Sequence, residues 1–532
     1  MWRTSRFFAG FAAFLVCWGS VAEPGRAEAR EPAAVLEVAA DGPVRGLLDA
    51  HTHVEGHENM GGRIICGKPF DPDGIEEALR DCPDHGPNGE YAVIENFFMN
   101  GTPTGTHATD GYPTFGYWPA HNSQTHQMVY HEWLERAWRG GLRILVDQLV
   151  ANRILCDVYP LKLNSCDEMD TVRLEMRRAR EMQSYIDDLN GGPGKGWFRL
   201  VTSPEQARQV IAQGRLAVVT GMETSEPFGC GKFLGVPKCT KAQIDRGLDE
   251  VKALGVSSMF ICHKFDNALC GVRFDGGTAG LLVNAGNFLS TGRFWQVEPC
   301  TGPPDNTLMS LRSLPPPLGE WLDVPLAVLP NYPAGPHCNK NGLTALGEYT
   351  IRGMAKRGMI VEIDHMSAKA AGQTLTLLEK IGYSGVMSSH NWTDRSFLPR
   401  LYRLGGMATQ IQPRPDSAVA YWRTLKAASD PGHLFGYGVG LDANGFASLP
   451  GPRTGSQVAY PFTSPFDPSI TFDRLTTGRR TWDYNTEGVA NYGLVPDWLE
   501  DLRQTAPPEM LTDLANGPEA YLQMWTRART GR

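Results

Sequence analysis

The sequence predicts a (β/α)8 TIM-type barrel with long loop insertions on its C-terminal face. Three observations carry this. Eight short apolar runs, rich in Val, Ile, Leu, Met and Gly, each finish on or beside a polar or ionisable residue. Segments with helical spacing lie between the runs. The turn after the first run reads HTHVEGHENMGG, which is no glycine-rich phosphate loop and so does not fit an open doubly wound sheet.

The runs are RGLLDAHTH (45–53), LRILVDQ (142–148), RLAVVTGME (215–223), VSSMFICH (256–263), GMIVEIDH (358–365), SGVMSSH (384–390), GGMATQI (405–411) and LFGYGVGLD (434–442). Continuous apolar character is what a strand covered on both faces requires, and its alternation with helices predicts a parallel sheet clothed on the outside. Helices are predicted over 125–139, 170–190, 204–213, 241–254, 345–357, 367–380 and 416–429. Ser203-Pro204-Glu205 gives the third of these a cap, a first-turn proline and an early acid. Two connections, 57–124 and 264–341, are rich in Gly, Pro, Asn and Cys and are too long for simple turns. Loops of that length in a compact domain are covers or binding loops. Residues 443–532 predict a loop-rich stretch and then helices near 496–504 and 517–529. GYGVG (436–440) lacks the following helix of a nucleotide loop, so its glycines are read as close packing inside the barrel.

The chain has 532 residues and a formal charge of -8, without long like-charge runs. That excludes the clustered basic footprint of a nucleic-acid surface and leaves a small-molecule substrate as the expected partner. Residues 1–22 read as a signal peptide, with two arginines, an apolar stretch and small residues near Ala22. The stretch is shorter than the ~20 residues of a membrane span. An exported protein, periplasmic or secreted and without a stable span after cleavage, is expected, with 45–532 as the hydrolase barrel. A homo-oligomer is left open. Beyond Cys17 ten cysteines fall into sequence-near couples, Cys66/Cys82, Cys156/Cys166, Cys230/Cys239, Cys262/Cys270 and Cys300/Cys338. Disulfides are the default in an oxidising compartment, although spacing does not fix their connectivity. The absence of CxxC removes cysteine-zinc and thioredoxin-like readings.

His51 and His53 are two residues apart on a strand, so both imidazoles can face the barrel axis. An HxH alone is more often incidental than metal-binding. The other runs, however, end on Glu223, His263, His365, His390 and Asp442. Four strands finishing in histidine, in a chain with only 13, is more than loop bonding explains. Barrel active sites are assembled at that rim, and imidazole nitrogen and carboxylate oxygen are the ligands of open catalytic zinc sites.

LAVVTGMETS, FICHKFDNALCG, GLTALGEYTIRGMAKRGMIVEIDHMS, VMSSHN and GVGLDANG occur in that order along most of the mature chain. They resemble the glutamate strand, the Thr-His-Asn strand end, the Asp-Leu-Ser-His segment, the Ser-His-Ser strand end and the Gly-Ser-Asp-Phe-Asp-Gly turn of the membrane dipeptidase family. That family, renal dipeptidase-like and known as peptidase M19, belongs to the amidohydrolase superfamily. The resemblance implies two Zn2+ ions per chain, with another divalent metal as the variant. Glu223 would bridge them, with His365 and His390 on one metal and His51 and His53 on the other. His263 would contact the carbonyl side of the substrate, and Asp442 would be the acid/base. The implied activity is hydrolysis of an amide or peptide bond in a small substrate, dipeptidase-like.

The chemistry needs these groups. Two divalent cations about 3.5–4 Å apart can share a hydroxide and polarise a carbonyl. A donor at the developing oxyanion lowers the barrier. A carboxylate that has taken a proton can deliver it to the leaving amide. No serine or cysteine nucleophile is required, and GxSxG is absent.

The chain also departs from the family pattern. The family has His-x-Asp on its first strand, whereas this chain has His51-Thr52-His53, which makes the centre one charge more positive. The family's carboxylate-gripping arginine has no clear counterpart in Arg395, Arg400 or Arg403, and the insertions reshape the mouth. Metal centre and chemistry therefore transfer, while dipeptide specificity does not. The alternatives are a lactonase or ester hydrolase on the same centre, and an inactive exported binding module. Asp442 speaks against the module, since binding alone needs no proton shuttle.

Other candidates carry less. His121, His126 and His131 do not share a helix face and read as partly exposed residues. HEWLE (131–135) lacks the second histidine of a zincin. His57 and Glu58 read as loop residues. Asp147 and Gln148 end the second strand, where they could orient a ligand histidine. Tyr112, Phe115, Tyr117 and Trp118 read as the small core of an insertion.

Overall fold

The computed structural model describes residues 42–86, 92, 94–96, 105, 118–309, 329–455 and 457–531. Residues 1–22, read above as a signal peptide, and Tyr112, Phe115 and Tyr117 lie outside them. Strands form where the apolar runs fall: β1 (Leu47–Thr52), β2 (Leu142–Ala151), β3 (Phe198–Val201), β4 (Leu216–Thr224), β5 (Ser258–Phe260), β6 (Ile360–Glu362), β7 (Val386–Ser388) and β8 (Met407–Ala408). They pair in parallel in the order β1-β2-β4-β5-β6-β7-β8, with β3 beside β4. Residues 438–440 close the ring. Val439 N donates to Leu48 O at 3.0 Å, Ala50 N to Val439 O at 2.7 Å, and Gly440 N to Gln410 O at 2.9 Å. Each of the eight runs thus supplies one stave.

β3 was not expected from the sequence. Its FRLV run is too short to show a period, and it pairs with the first half of β4 while β5 pairs with the second. The predicted helix over 125–139 starts only at His131, because Cys66 N donates to Thr125 O and Gln127 N to Cys66 O, both at 2.7 Å. Among the described residues the α-helices of eight residues or more are α1 (His131–Arg139), α2 (Glu168–Leu189), α3 (Pro204–Ala212), α4 (Lys241–Leu254), α5 (Gly277–Thr291), α6 (Ala345–Lys356), α7 (Ala368–Ile381), α8 (Pro415–Ala428), α9 (Val495–Thr505), α10 (Pro508–Ala515) and α11 (Gly517–Thr530). Ser203 caps α3, accepting from Gln206 N at 3.1 Å. α5 lies inside the second insertion, and α10 also went unpredicted. Among the described residues no helix is long and apolar enough to cross a membrane.

Alternation along the strands sorts side chains to two sides. Leu48, Ala50, Ile144, Val146, Ala217, Val219, Ile360, Met387 and Met407 share one buried cluster with Tyr521, Met524 and Trp525 of α11. Their chain neighbours Leu47, Leu145, Val218, Val361 and Val386 join the larger cluster beneath the outer helices. Each Val, Leu, Ile or Met among them contributes roughly 1.5–3 kcal/mol by leaving water. α11 thereby plugs the N-terminal mouth, which leaves the C-terminal rim for chemistry. The five cysteine couples anticipated above are all disulfide-bonded, stapling the loops at that rim.

Glu362 is 1 % exposed on β6. Burial pushes its carboxyl up to about 8, with Asp364 acting the same way. The folded state therefore holds this proton more tightly than the unfolded chain, and stability falls as pH rises from the ordinary carboxyl range to about 8. Glu362→Gln is expected to raise the melting temperature, by an amount that grows between pH 5 and pH 8. Melting curves across that range would show equal shifts at both ends if the carboxyl were not the cause.

Candidate metal centre

The geometry of β1 sends both of its histidines inward. His51 Nε2 lies 3.4 Å and His53 Nε2 3.6 Å from Glu223 Oε2. From the far side His365 Nε2 lies 3.2 Å and His263 Nε2 3.7 Å from Glu223 Oε1. The two carboxylate oxygens of Glu223 are thus divided between two sets of imidazoles. His390 Nε2 faces His365 Nε2 at 2.8 Å, and Asp442 Oδ1 lies 3.0 Å from His53 Nε2 and 3.6 Å from His51 Nε2. All seven residues picked out at strand ends meet here. His51-His53-Glu223 and Glu223-His263-His365 each have ligand-type atoms within 4.8 Å of one another, so His263 stands among the potential ligands as well as beside the substrate space.

The outer nitrogens show how the rings are held. His53 Nδ1 donates to Gln148 O at 2.7 Å, His51 Nδ1 lies 2.9 Å from Ser389 Oγ, and His390 Nδ1 lies 3.0 Å from Asp364 Oδ2. Asp364 is itself fixed by Ser388 Oγ at 2.7 Å and His390 N at 2.9 Å. An imidazole that donates from Nδ1 turns the Nε2 lone pair toward the centre, the pattern of a metal-ligating histidine. For His53 that lone pair would point at two carboxylate oxygens, which is repulsive unless a proton or a metal cation lies between them. Nε2 of His51 and Oε1 of Glu223 are buried without a hydrogen bond. These residues fit a divalent metal centre around Glu223.

Electrostatics are consistent with that fit. Burial opposes the charge on Glu223, yet the surrounding imidazoles, His263 and His51 foremost, hold its carboxyl well below the usual range. Burial lowers His51 and His365, each further lowered by neighbouring imidazoles. Burial also takes His263 down to about 3 against the pull of Glu223, so it is neutral at working pH. His390 behaves differently: burial would lower it, but Asp364 outweighs burial and lifts it to about 9. It carries the proton that joins it to His365. A divalent cation competes with that proton for the same lone pairs, so binding releases protons and tightens as pH rises. Asp364→Asn is expected to weaken zinc affinity about 10- to 100-fold, in line with other carboxylates that orient ligand histidines. Competitive titration with a chelator reads this, and an unchanged affinity would remove Asp364 from the centre.

Asp442 sits in a turn tied to β1. Its N–H donates to His51 O at 2.8 Å, and His53 N donates to Ala443 O at 3.0 Å. Its φ of 53° is left-handed. A Cβ on Gly445 would come within 1.9 Å of Asp442 Oδ1, so only glycine leaves the carboxylate its place. Likewise a Cβ on Gly440 would meet Ser389 O at 2.0 Å, in keeping with tight packing rather than a nucleotide loop at GYGVG. Asp49 locks the same turn, accepting from Leu441 N and His51 N at 3.1 Å and from the Tyr492 hydroxyl at 2.7 Å.

Several residues singled out in the sequence lie elsewhere. Arg400 pairs with Glu379 at 2.7 Å, Arg395 stacks over Tyr421 at 5.1 Å, and Arg403 is exposed. Two cations near the rim are Lys264, 5.5 Å above the Trp392 ring and paired with Asp275 at 3.1 Å, and Arg273, whose backbone N–H donates to His365 O at 2.7 Å and whose Nε donates to Asp305 O at 3.1 Å. They lie in the second insertion, where no strand end marks them. Glu58 pairs with Arg178 and Asn164, and His57 faces Glu58 at 3.6 Å. Gln148 does orient His53, but through its backbone carbonyl, while Asp147 Oδ1 accepts from Val54 N at 2.9 Å. His126 and His131 are buried, contrary to the partly exposed reading, because the first insertion folds over them.

No protein-family model and no curated protein sequence matches the chain. Among solved structures, a metallopeptidase from Rhodobacter sphaeroides, bound to a phosphinate mimic of the dipeptide L-Ala-D-Ala, aligns over 92% of this chain and 100% of its own, with TM-score 0.44 and 11% identity. A metallopeptidase dipeptidase of family M19 aligns over 74% and 88%, with TM-score 0.43 and 12% identity. An amidohydrolase from Pseudomonas aeruginosa aligns over 76% and 94%, with TM-score 0.41 and 13% identity. The likeness is to M19 dipeptidases and amidohydrolases. At this distance the chemistry rests on the side chains themselves.

Proposed function

We propose that the chain is an exported metal-dependent hydrolase of the amidohydrolase type that cleaves an amide or peptide bond in a small substrate. The observation that carries this is the division of the two Glu223 oxygens between His51/His53 and His365/His263. Glu223, His51, His53, His365 and His390 would hold two zinc or similar divalent ions. When bound, such a pair polarises the scissile carbonyl and lowers the pKa of a water toward neutrality. Asp442 Oδ1, 3.0 Å from His53 Nε2, is the carboxylate in position to accept the proton of the attacking water and pass it to the leaving nitrogen. The neutral His263 imidazole can donate to the oxyanion. The five disulfides support an oxidising compartment and hence export.

The test is a panel of dipeptides, N-acyl amino acids and lactones offered to the zinc-loaded protein. Turnover of amides is expected. Turnover confined to lactones would shift the reading to an ester-type hydrolase, and no turnover with a fully metallated protein would favour a binding module.

A further inference from the structure

We propose that an apolar patch, built from a hairpin after β4 and the outer face of α5, docks this protein on an anionic lipid surface. The hairpin pairs Lys232–Phe233 with Val236–Pro237, and its tip shows Phe233, Leu234 and Val236 at 48 %, 54 % and 67 % exposure. The Cys230–Cys239 disulfide closes its base, and Leu234 N donates to Thr291 O at 2.8 Å, which fastens the tip to α5. α5 itself is turned inside out. Apart from Leu281, the described side chains that it buries fully are polar: Asn284, Asn287, Ser290 and Thr291. Asn284 Nδ2 donates to the Tyr332 hydroxyl at 2.7 Å, Asn287 Oδ1 accepts from Asp266 N at 2.9 Å, and Ser290 donates to Glu226 Oε1 at 2.6 Å. Leu282, Ala285 and Leu289 share the opposite face by their spacing, and Leu289 is 54 % exposed.

Water is a poor neighbour for this arrangement. A surface helix ordinarily turns its apolar stripe to the core and its polar face outward, and α5 does the reverse. Leu234 has a φ of 49° and Gly235 one of 92°, a hairpin turn in which asparagine or glycine is the comfortable pair. A leucine held there in the open gains little from the fold. Charge distinguishes what covers the patch. Residues 227–244 hold Lys232, Lys238 and Lys241, residues 276–297 hold Arg293, and neither segment holds an acid, in a chain of net charge -8. The neighbouring helix Arg153–Val158 adds one acid, Asp157, which is paired with Arg153 at 3.1 Å. Lys238 Nζ lies 6.0 Å from the Phe233 ring, so its stem runs beside the apolar tip. Aromatic and aliphatic side chains flanked by cations match a bilayer interface, where the first enter the acyl boundary and the second meet phosphates. A second copy of the chain fits less well. A stable dimer buries about 800 Å² on each side, and a two-residue hairpin tip presents a point and not a plane.

The hairpin follows β4, whose end carries Glu223, and α5 follows the strand end of His263, so docking would turn the C-terminal rim toward the lipid. The experiment is flotation of the mature chain, without the apolar segment 1–22, with vesicles of phosphatidylcholine alone and of phosphatidylcholine mixed with phosphatidylglycerol. The parent is expected to bind the mixed vesicles, and less as salt rises. Leu234→Asn/Val236→Thr/Leu289→Gln is expected to lower the partition coefficient by about tenfold or more. Lys232→Gln/Lys238→Gln is expected to lower it about fivefold per lysine on the mixed vesicles and to leave phosphatidylcholine unaffected. The five side chains are exposed or part-exposed, so both variants are expected to keep the parent's melting temperature. No binding of the parent to mixed vesicles, or equal binding by the parent and the triple variant, overturns the proposal. A concentration-dependent dimer that the triple variant dissolves, without vesicle binding, assigns the patch to a second copy and overturns it too. Neither metal nor turnover enters these readings, so they are independent of the barrel centre.

Discussion

Asp442→Asn is expected to lower kcat by about 10²- to 10⁴-fold, the usual worth of a positioned acid/base, while leaving zinc content unchanged. The substitution keeps the shape of the side chain and removes only its ability to take up and return a proton. Asp442 reaches the centre from a turn fixed by Asp49, Gly445 and the β1 backbone, so the amide should occupy the same place. Its side chain is also the more open one, 13 % exposed against 2 % for Glu223, as suits a group that meets substrate. Steady-state rates beside zinc analysis check this. Retained turnover would remove Asp442 from the mechanism, and lost zinc would make it a ligand instead.

Glu223→Gln is expected to have the larger effect, on metal, rate and stability together. The carboxylate lies 3.2–3.7 Å from four imidazoles, and an amide can neither bridge two cations nor balance a protonated histidine. Zinc at the barrel should fall by at least one equivalent and turnover should reach background. In chelator-treated protein, losing one partner of a buried ionic set costs about 3–5 kcal/mol. The sign with pH follows from its lowered pKa: the stabilising contribution is present above the ordinary carboxyl pKa and is lost as pH falls through the lower folded value. The deficit of the variant should therefore be full at pH 7 and shrink in acid. Equal zinc content in the variant and the parent would refute the bridging role.

Much of this was legible in the sequence because barrel physics repeats. A strand covered on both faces must be apolar along its length, and the residues at its C-terminal end stand at the rim, so reading the run ends gave His51, His53, Glu223, His263, His365, His390 and Asp442. What escaped has no such period. β3 is four residues long. Asp364 looks like one more polar residue near a strand end until His390 is seen 3.0 Å from it. Gly445 matters only because the Asp442 carboxylate folds back over it. Arg273 and Lys264 are brought to the rim by a loop whose path no local propensity dictates. His126 read as partly exposed because contacts remote in sequence, with Cys66 and Glu95 among them, help to bury it.

The central claim is that distant strand ends share one pair of cations around Glu223. Anomalous diffraction at the zinc edge from crystals of zinc-loaded protein tests it most directly. The expected result is two peaks about 3.5–4 Å apart, one toward His51 and His53 and one toward His365, with Glu223 between them. A zinc-loaded crystal with no peak within coordinating reach of Glu223 would contradict it.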